Sequence, residues 1–233
     1  RARTVEGPGV QGRFFIYNSN GVGNMEKRYI IGIDQSTQGT KALLFDGEGH
    51  FLRRTDLPHR QIVNEKGWVS HDLNEIYRNT VQTVKTLVAE SGVAPETIAG
   101  IGISNQRETT AIWDKATGEP LEEAIVWQCG RASGIAQEIA EQGHAEEIRE
   151  ATGLQLSAYF PAAKMAWLLR NGGEERQKRA ADGKLCLGTI DSWLVYKLTG
   201  DHAFKTDFSN ASRTQLFNLK TLAWDKKICE MFG

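Results

Sequence analysis

The first chemically suggestive feature of the sequence is a short polar turn between two apolar runs. It reads Asp34-Gln-Ser-Thr37-Gln38-Gly39-Thr-Lys41. Backbone N–H groups and hydroxyls could donate to a phosphate, Gly39 would allow close approach, Lys41 would supply charge, and the Asp34 carboxylate could hold hydrated Mg²⁺. The spacing matches neither a P-loop nor a GxGxxG motif. Taken alone, the same residues could also form an ordinary solvated turn.

A second polar run follows a small-and-apolar segment. It spans Ser104–Thr110 and contains Arg107 and Glu108. In open α/β sheets ligands bind at the carboxyl ends of strands, so we expect residues that contact a substrate here. An arginine fork and a neighbouring carboxylate can donate to and accept from vicinal hydroxyls. The alternative is an Arg–Glu surface pair, which contributes little to stability.

Two aromatic residues lie in later polar segments, Trp127 within 125–131 and Tyr159 within 156–160. Such rings can pack on the C–H face of a polyol, and the tyrosine hydroxyl can also form a hydrogen bond. Either ring could instead belong to a hydrophobic core. A core position is what we expect for four further tryptophans: Trp113, Trp167, Trp193 and Trp224.

The apolar periodicity predicts the elements that would position these residues. Alternation indicates three antiparallel strands at Tyr29–Asp34, Lys41–Phe45 and Phe51–Thr55. An apolar stripe then predicts a long helix that begins after the N-cap candidate Asp72 and ends at Gly92. A helix of this length can cross over the sheet, so that the strand that follows it can pair in parallel.

The remaining pattern alternates strands and helices. Ile98–Ser104 is typical of a buried parallel strand and Thr110–Trp113 is a further extended segment, so we predict a mixed sheet. Four more helices are indicated around 132–142, 145–151, 162–169 and 191–198. This order is typical of an α/β domain of the ribonuclease-H-like, actin/hexokinase type, in which helices flank a mixed sheet.

Composition narrows the range of ligands, partners and compartments that are expected for this protein. The 233 residues carry a formal net charge of -1 with both signs interleaved, which argues against nucleic acid as a ligand. No apolar run is long enough to span a membrane. Three widely spaced cysteines fit neither a disulfide framework nor a zinc site, and they favour the cytoplasm. An exposed apolar face would favour a homo-oligomer.

The chain divides into two predicted regions. Residues 1–24 are rich in Gly and Asn, lack periodicity, and are interpreted as a disordered leader or tag without function. Met25 looks like a natural start. Residues 25–233 would form the domain.

Six motifs between Tyr29 and Phe232 resemble, in order and spacing, those of the FGGY carbohydrate kinases, and they are most similar to the glycerol kinases of that family. The motifs lie at 31–37, 67–72, 103–109, 125–129, 188–194 and 206–214. The resemblance implies an N-terminal kinase domain. Members are typically about twice as long, with a second domain that supplies the adenine pocket and the catalytic base, so the resemblance also implies that this chain alone is inactive.

The resemblance also implies roles for the site residues. Asp34 would act near Mg²⁺ and the transferring phosphoryl group of ATP. The phosphates would be bound by Thr37, Gln38, Gly39 and Lys41. Glycerol or a similar polyol would be bound by Arg107, Glu108, Trp127 and Tyr159. The motifs at 188–194 and 206–214 would be mainly structural.

The phosphate turn departs from the glycerol kinase pattern. Gln38-Gly39-Thr-Lys41 is closer to the xylulose kinases, and Lys41 keeps the charge of an arginine without its fork. A xylulose or pentitol kinase is therefore one alternative. A non-catalytic nucleotide- or sugar-binding module is another, and it would differ in binding its ligand tightly without a second domain.

Overall fold

The computed structural model describes residues 28–233, so the predicted leader at 1–24 and the start at Met25 lie outside the described residues. Within 28–233 the strands are β1 (Tyr29–Gln35), β2 (Gly39–Phe45), β3 (Phe51–Pro58), β4 (Ile62–Val63), β5 (Val69–His71), β6 (Ile98–Asn105), β7 (Thr110–Asp114), β8 (Ala124–Ile125), β9 (Leu185–Thr189), β10 (Phe217–Asn218) and β11 (Ala223–Trp224). The α-helices are α1 (Leu73–Ser91), α2 (Ser133–Glu141), α3 (Ala145–Thr152), α4 (Pro161–Asn171), α5 (Gly173–Ala181), α6 (Ile190–Leu198), α7 (Phe208–Ala211) and α8 (Lys226–Met231).

The described residues fall into two compact units. The first unit comprises residues up to Arg60 together with Asn74–Asn105, and the second comprises Gln61–Leu73 and Gln106–Gly233. Each has its own sheet and its own buried apolar cluster. No helix of residues 28–233 is both long and apolar enough to cross a membrane.

The first unit is built on a four-stranded mixed sheet in the order β3-β2-β1-β6. β1 pairs antiparallel with β2, as the sequence predicts, and it is also the parallel partner of β6, the strand predicted to be parallel at Ile98–Ser104. Alternation along β1 buries Ile31 and Ile33, which pack with Leu44 and with Leu87 of α1. The apolar stripe of α1 thus covers the sheet and fixes the register of the strand that ends at Asp34.

The second unit carries a five-stranded sheet in the order β4-β5-β8-β7-β9, in which every pairing is antiparallel. Helices α4 and α5 pack against it. A second apolar cluster surrounds α2 and α4, with Ile139, Ile148 and Phe232 among its buried members.

Three details of the second unit differ from the sequence prediction. Thr110–Trp113 does not share one mixed sheet with Ile98–Ser104 but lies in this second sheet, because it pairs with β9, a strand that the apolar pattern did not reveal. Helix α5 was also missed, since none of its residues is buried. Trp224, expected in the core, is 51% exposed because it lies on the two-residue strand β11, where its ring packs edge-on with Phe217.

Other core expectations hold. Trp113 and Trp193 are fully buried, with their ring centroids 5.3 Å apart, and Trp167 is partly buried. Trp167 packs edge-on to Trp68. Cys129 and Cys186 are buried, and the three cysteines are free thiols.

At Gly39 in the first sheet, a side chain larger than hydrogen does not fit. Gly39 lies opposite Pro58 in the β2–β3 pairing, and a Cβ atom there would stand 2.5 Å from the Leu57 carbonyl oxygen. We therefore expect Gly39→Ala to lower the free energy of unfolding by about 1–3 kcal/mol, as overpacking usually does. Thermal or urea unfolding measures the change.

Gly102→Ala is the matched control for that substitution. Gly102 lies in β6 of the same sheet, and a Cβ atom there would meet no heavy atom within 4 Å. The control should leave stability within about 1 kcal/mol of wild type. Equal losses in the two variants would contradict the proposed clash at Gly39.

Asp191 is the most deeply buried acid described in the second unit. It lies in the first turn of α6 and accepts hydrogen bonds from the hydroxyls of Thr189 and Thr206. Burial raises the pKa of Asp191 to about 6, although the two hydroxyls act in the opposite direction. A carboxyl that holds its proton more tightly when folded stabilises the protein at low pH.

The sign of this effect gives a test. The stabilisation is complete below the usual aspartate pKa of 3.8 and is lost as the pH rises through about 6. One pKa unit corresponds to about 1.4 kcal/mol, so wild type should lose about 2–3 kcal/mol relative to Asp191→Asn between acidic and neutral pH. Urea unfolding of both proteins over that range measures the difference. A difference that does not vary with pH would disprove the assignment to Asp191.

Candidate functional site

The polar turn at 34–41 connects the antiparallel strands β1 and β2 of the first unit. Asp34 and Lys41 stand opposite each other in the strand pairing, and the Lys41 ammonium donates to the Asp34 carboxylate at 2.9 Å. Their side chains are 43% and 35% exposed. The carboxylate and the ammonium are therefore held together at the mouth of the hairpin, where each remains accessible to a ligand.

Internal hydrogen bonds close the turn. The backbone N–H and the hydroxyl of Ser36 both donate to the carbonyl of Gly39, at 2.9 and 3.1 Å. Thr37 is partly exposed and Gln38 is exposed at its tip. The missing Cβ of Gly39 lets the turn lie against β3, and the hydroxyl and amide donors at its tip suit an anion.

His59, the residue that follows β3, supports this turn, and sequence reasoning did not single it out. Its backbone N–H donates to the carbonyl of Gln38 at 3.2 Å, and its ring is buried. Burial lowers the pKa of His59, while the carboxylate of Glu75 acts in the opposite direction. At neutral pH the ring is a neutral packing group beneath the turn.

The predicted polyol residues lie in the second unit. Arg107 and Glu108 occupy the turn before β7, yet they do not pair with each other. Arg107 is exposed and makes no hydrogen bond or ion pair within residues 28–233. Glu108 is 6% exposed and accepts a hydrogen bond from Nε of Arg213 at 2.7 Å. The alternative of an Arg107–Glu108 surface pair is therefore wrong.

An aromatic row continues from this ion pair. The Arg213 guanidinium lies 5.0 Å from the ring centroid of Phe160, which lies edge-on to Tyr159 at 5.1 Å. Tyr159 in turn lies 5.7 Å from Trp127. We call these five side chains, from Glu108 to Trp127, the acceptor wall. It presents a carboxylate beside aromatic surface, the combination that suits a small polyol.

Lys164 holds the loop that carries Tyr159. This fully buried lysine on α4 donates to the carbonyls of Ala158, at 2.7 Å, and of Tyr159 and Phe160. Burial lowers the pKa of Lys164 to about 7, and the negative charge of Glu108 opposes that shift. The ammonium replaces hydrogen bonds that the loop carbonyls would otherwise make with water.

A buried hydrogen-bond chain fixes the backbone at Trp127. The Trp127 N–H donates to the Thr109 hydroxyl at 3.2 Å, and that hydroxyl donates to Oε1 of Gln106 at 2.7 Å. The side-chain amide of Gln106 then contacts Nδ1 of His71 at 3.2 Å. This chain ties Gln106 and Thr109 of the predicted 104–110 segment to the backbone of Trp127 in the aromatic row.

The structure thus gathers the predicted residues in two groups, one in each unit. Asp34 and Lys41 meet in the first unit, and Glu108, Trp127 and Tyr159 share the acceptor wall in the second. Arg213 and Lys164 were missed as site residues. Lys164 could have been noticed because it is a lysine inside the apolar helix predicted at 162–169. Arg213 offered no local signal, because its partner Glu108 lies 105 positions away in sequence.

Within residues 28–233 no three His, Cys, Asp or Glu side chains cluster as a metal site. A single carboxylate with phosphate and water ligands is nevertheless a common way to hold Mg²⁺. Asp34, next to a turn rich in anion donors, fits that arrangement.

Comparison with known proteins decides the family. A model described as the FGGY family of carbohydrate kinases, N-terminal domain, matches residues 29–233. The chain belongs to the FGGY carbohydrate kinases. The ribonuclease-H-like, actin/hexokinase-type fold predicted from the sequence is confirmed by the solved FGGY kinase structures that the chain resembles.

The relatives of this FGGY chain include several glycerol kinases. It is 48% identical over 209 residues to a glycerol kinase of Ligilactobacillus salivarius, covering 90% of this chain and 41% of that protein. It is 45% identical over 206 residues to glycerol kinase 2 of Thermotoga maritima, covering 88% and 41%. The chain therefore spans well under half the length of the relatives it matches.

The solved structures that the chain resembles agree with this family assignment. A Plasmodium falciparum glycerol kinase with ADP matches with a TM-score of 0.78 and 37% identity, over 89% of this chain and 41% of that one. A ligand-bound xylulose kinase from Lactobacillus acidophilus matches with a TM-score of 0.74 and 26% identity, over 88% and 39%. Both neighbours are sugar or polyol kinases.

Proposed function

We propose that the protein containing this FGGY chain transfers the γ-phosphoryl group of ATP to a primary hydroxyl of glycerol or a similar polyol. The observation that carries the proposal is the acceptor wall, in which a buried carboxylate lies beside exposed aromatic surface. The glycerol kinase relatives at 45–48% identity support the same substrate. The protein would act in the cytoplasm, consistent with its free thiols.

In this proposal the second unit binds the polyol. Glu108 accepts a hydrogen bond from one substrate hydroxyl, and the exposed guanidinium of Arg107 donates to another. Tyr159, which is 39% exposed, supplies its hydroxyl, and Trp127 packs on the carbon skeleton. Because Arg213 holds Glu108 and Lys164 holds the loop that carries Tyr159, these two groups need little further ordering on binding, whereas the exposed Arg107 side chain is ordered by the substrate.

The first unit supplies the phosphate contacts. Asp34 would hold Mg²⁺, and Thr37, Gln38, Gly39 and Lys41 would donate to or lie against the nucleotide phosphates. Mg²⁺, when bound, neutralises charge on the phosphates during transfer. Lys41 would exchange its ion pair with Asp34 for a phosphate oxygen, which keeps its charge compensated.

The proton of the attacking hydroxyl needs an acceptor, and we place it in the additional length that the relatives have. Phosphoryl transfer depends on the positioning and electrostatic stabilisation of both reactants. The 233 residues by themselves would accordingly bind polyol weakly and turn it over negligibly.

Arg107→Ala tests the polyol assignment. In the full-length protein we expect the KM for glycerol to rise by about 10- to 100-fold, because a hydrogen bond from a charged group contributes about 1.5–3 kcal/mol. The KM for ATP should change little. Arg107 has no partner within residues 28–233, so the variant should keep its thermal stability.

Arg170→Ala serves as the control for Arg107→Ala. Arg170 is another exposed arginine of the second unit, and it pairs with Glu138 on the surface. Steady-state kinetics should find its polyol KM unchanged. An unchanged glycerol KM in Arg107→Ala would remove Arg107 from the site.

A xylulose or pentitol kinase is the second candidate. It is favoured by the Gln38-Gly39-Thr-Lys41 sequence of the phosphate turn and by the similarity to the Lactobacillus acidophilus xylulose kinase. Measuring kcat/KM for glycerol, xylulose and ribitol separates the candidates. We expect glycerol to exceed the other two by at least tenfold, and a preference for xylulose or ribitol would replace glycerol as the substrate.

A further inference from the structure

Glu108 is held in a way that leaves one of its two carboxylate oxygens open. Oε1 accepts the hydrogen bond from Nε of Arg213 at 2.7 Å. Oε2 makes no hydrogen bond within the part of the chain that the structure describes. The side chain of Glu108 is 8% exposed, so its unpaired oxygen can be reached only from a restricted direction. The ion pair therefore selects which oxygen is presented to a ligand.

Arg213 makes this contact with only part of its guanidinium. Its Nε binds Glu108, whereas Nη1 and Nη2 make no hydrogen bond within residues 28–233, and the side chain is 27% exposed. The plane is instead held by Phe160, whose ring centroid lies 5.0 Å from the guanidinium carbon. An aromatic face and a single Nε bond together restrict rotation of the arginine more than either would alone.

The turn that carries Arg213 is itself anchored to the aromatic row. Asp207 caps α7 by accepting from the Asn210 N–H at 2.7 Å. The next residue after Arg213, Thr214, accepts a hydrogen bond through its carbonyl from the N–H of Ala162 at 2.9 Å. Ala162 lies in the first turn of α4, the helix whose Lys164 binds the 158–160 carbonyls. Backbone and side-chain contacts thus connect Arg213 to the Tyr159 loop.

We propose that Arg213 is a positioning residue for polyol recognition: it orients Glu108 so that Oε2 faces the substrate, and it fixes the spacing between that oxygen and Tyr159. The inference rests on the proposed function for the identity of the substrate. It assigns to the 206–214 segment a role in substrate affinity that the sequence interpretation, which treated the segment as structural, did not include.

A structural role and a positioning role for Arg213 predict different effects on stability and on the two KM values. A merely structural ion pair would change stability and affect both substrates equally, since a buried pair contributes mainly by keeping charges compensated. A positioning pair would act on polyol affinity through Glu108 alone. Substitutions of Arg213 and Glu108 therefore separate the two roles.

The first measurement compares Arg213→Gln, Arg213→Lys and wild type in the full-length protein. Arg213→Gln should raise the KM for glycerol by about 10- to 100-fold with the KM for ATP changed less than about twofold. Arg213→Lys keeps the charge but not the planar Nε geometry, so it should recover part of the affinity. An equal rise of both KM values would overturn the proposal.

Arg176→Gln is the matched control. Arg176 is another partly exposed arginine of the second unit, with a side chain 15% exposed, and it pairs with Glu122 at 3.0 Å without touching the acceptor wall. Its loss should lower thermal stability by an amount comparable to Arg213→Gln while leaving the glycerol KM unchanged. A glycerol KM that rises in both variants would show that lost stability, and not lost orientation, explains the effect.

A double-mutant cycle tests whether Arg213 acts through Glu108. Glu108→Gln alone should raise the glycerol KM, and adding Arg213→Gln should raise it no more than about twofold further, because the oxygen to be oriented has already been altered. If the two effects multiply instead, Arg213 does not act through Glu108 and the proposal fails.

A ligand-free crystal structure of Arg213→Gln gives a readout that is independent of activity. The proposal requires the Glu108 carboxylate to adopt a different rotamer in that structure, and an unmoved carboxylate overturns it. If wild type does not phosphorylate glycerol but phosphorylates another polyol, the substrate proposal fails and the same kinetic cycle is run with the polyol that is turned over.

Discussion

Burial of the Glu108 carboxylate is the constraint on which the acceptor wall depends. An ionised carboxylate that is 6% exposed needs a cationic partner, and Arg213 supplies it at 2.7 Å. The charge of Glu108 also acts on Lys164, whose ammonium holds the carbonyls of the 158–160 loop. Arg213 therefore fixes the buried carboxylate, while the hydrogen bonds of Lys164 to the loop carbonyls fix the loop that carries Tyr159. Such a pair is weak evidence for stability, and its clearer contribution is a defined geometry.

The phosphate turn follows a simpler rule. Its residues are close in sequence, and an antiparallel hairpin places positions 34 and 41 opposite each other by its register alone. The tertiary requirement is space for the turn, which Gly39 provides by leaving out a Cβ atom that would contact the Leu57 carbonyl. A local motif of this kind has a geometry that can be anticipated before the fold is known.

More of the first unit than of the second could be predicted from the sequence. In the first unit, alternation along β1 and the apolar stripe of α1 predicted the strands, the helix and a parallel strand at Ile98–Ser104 correctly, and the structure shows that this strand pairs with β1. In the second unit, β9 was missed and Trp224 was placed in the core wrongly, although it is 51% exposed. Short strands and surface helices carry too few periodic residues for a pattern to identify them.

The sequence by itself determined the family, the order of the elements of the first unit, and the residue types at the phosphate turn and the polyol segment. Tertiary structure decided which side chains of the site contact one another. Arg213 reaches Glu108 across 105 positions, and Lys164 binds carbonyls of a loop while sitting in an apolar helix. Periodicity reports which face of one element is buried, but a charge pair between distant elements is set by how those elements pack, which no local pattern encodes.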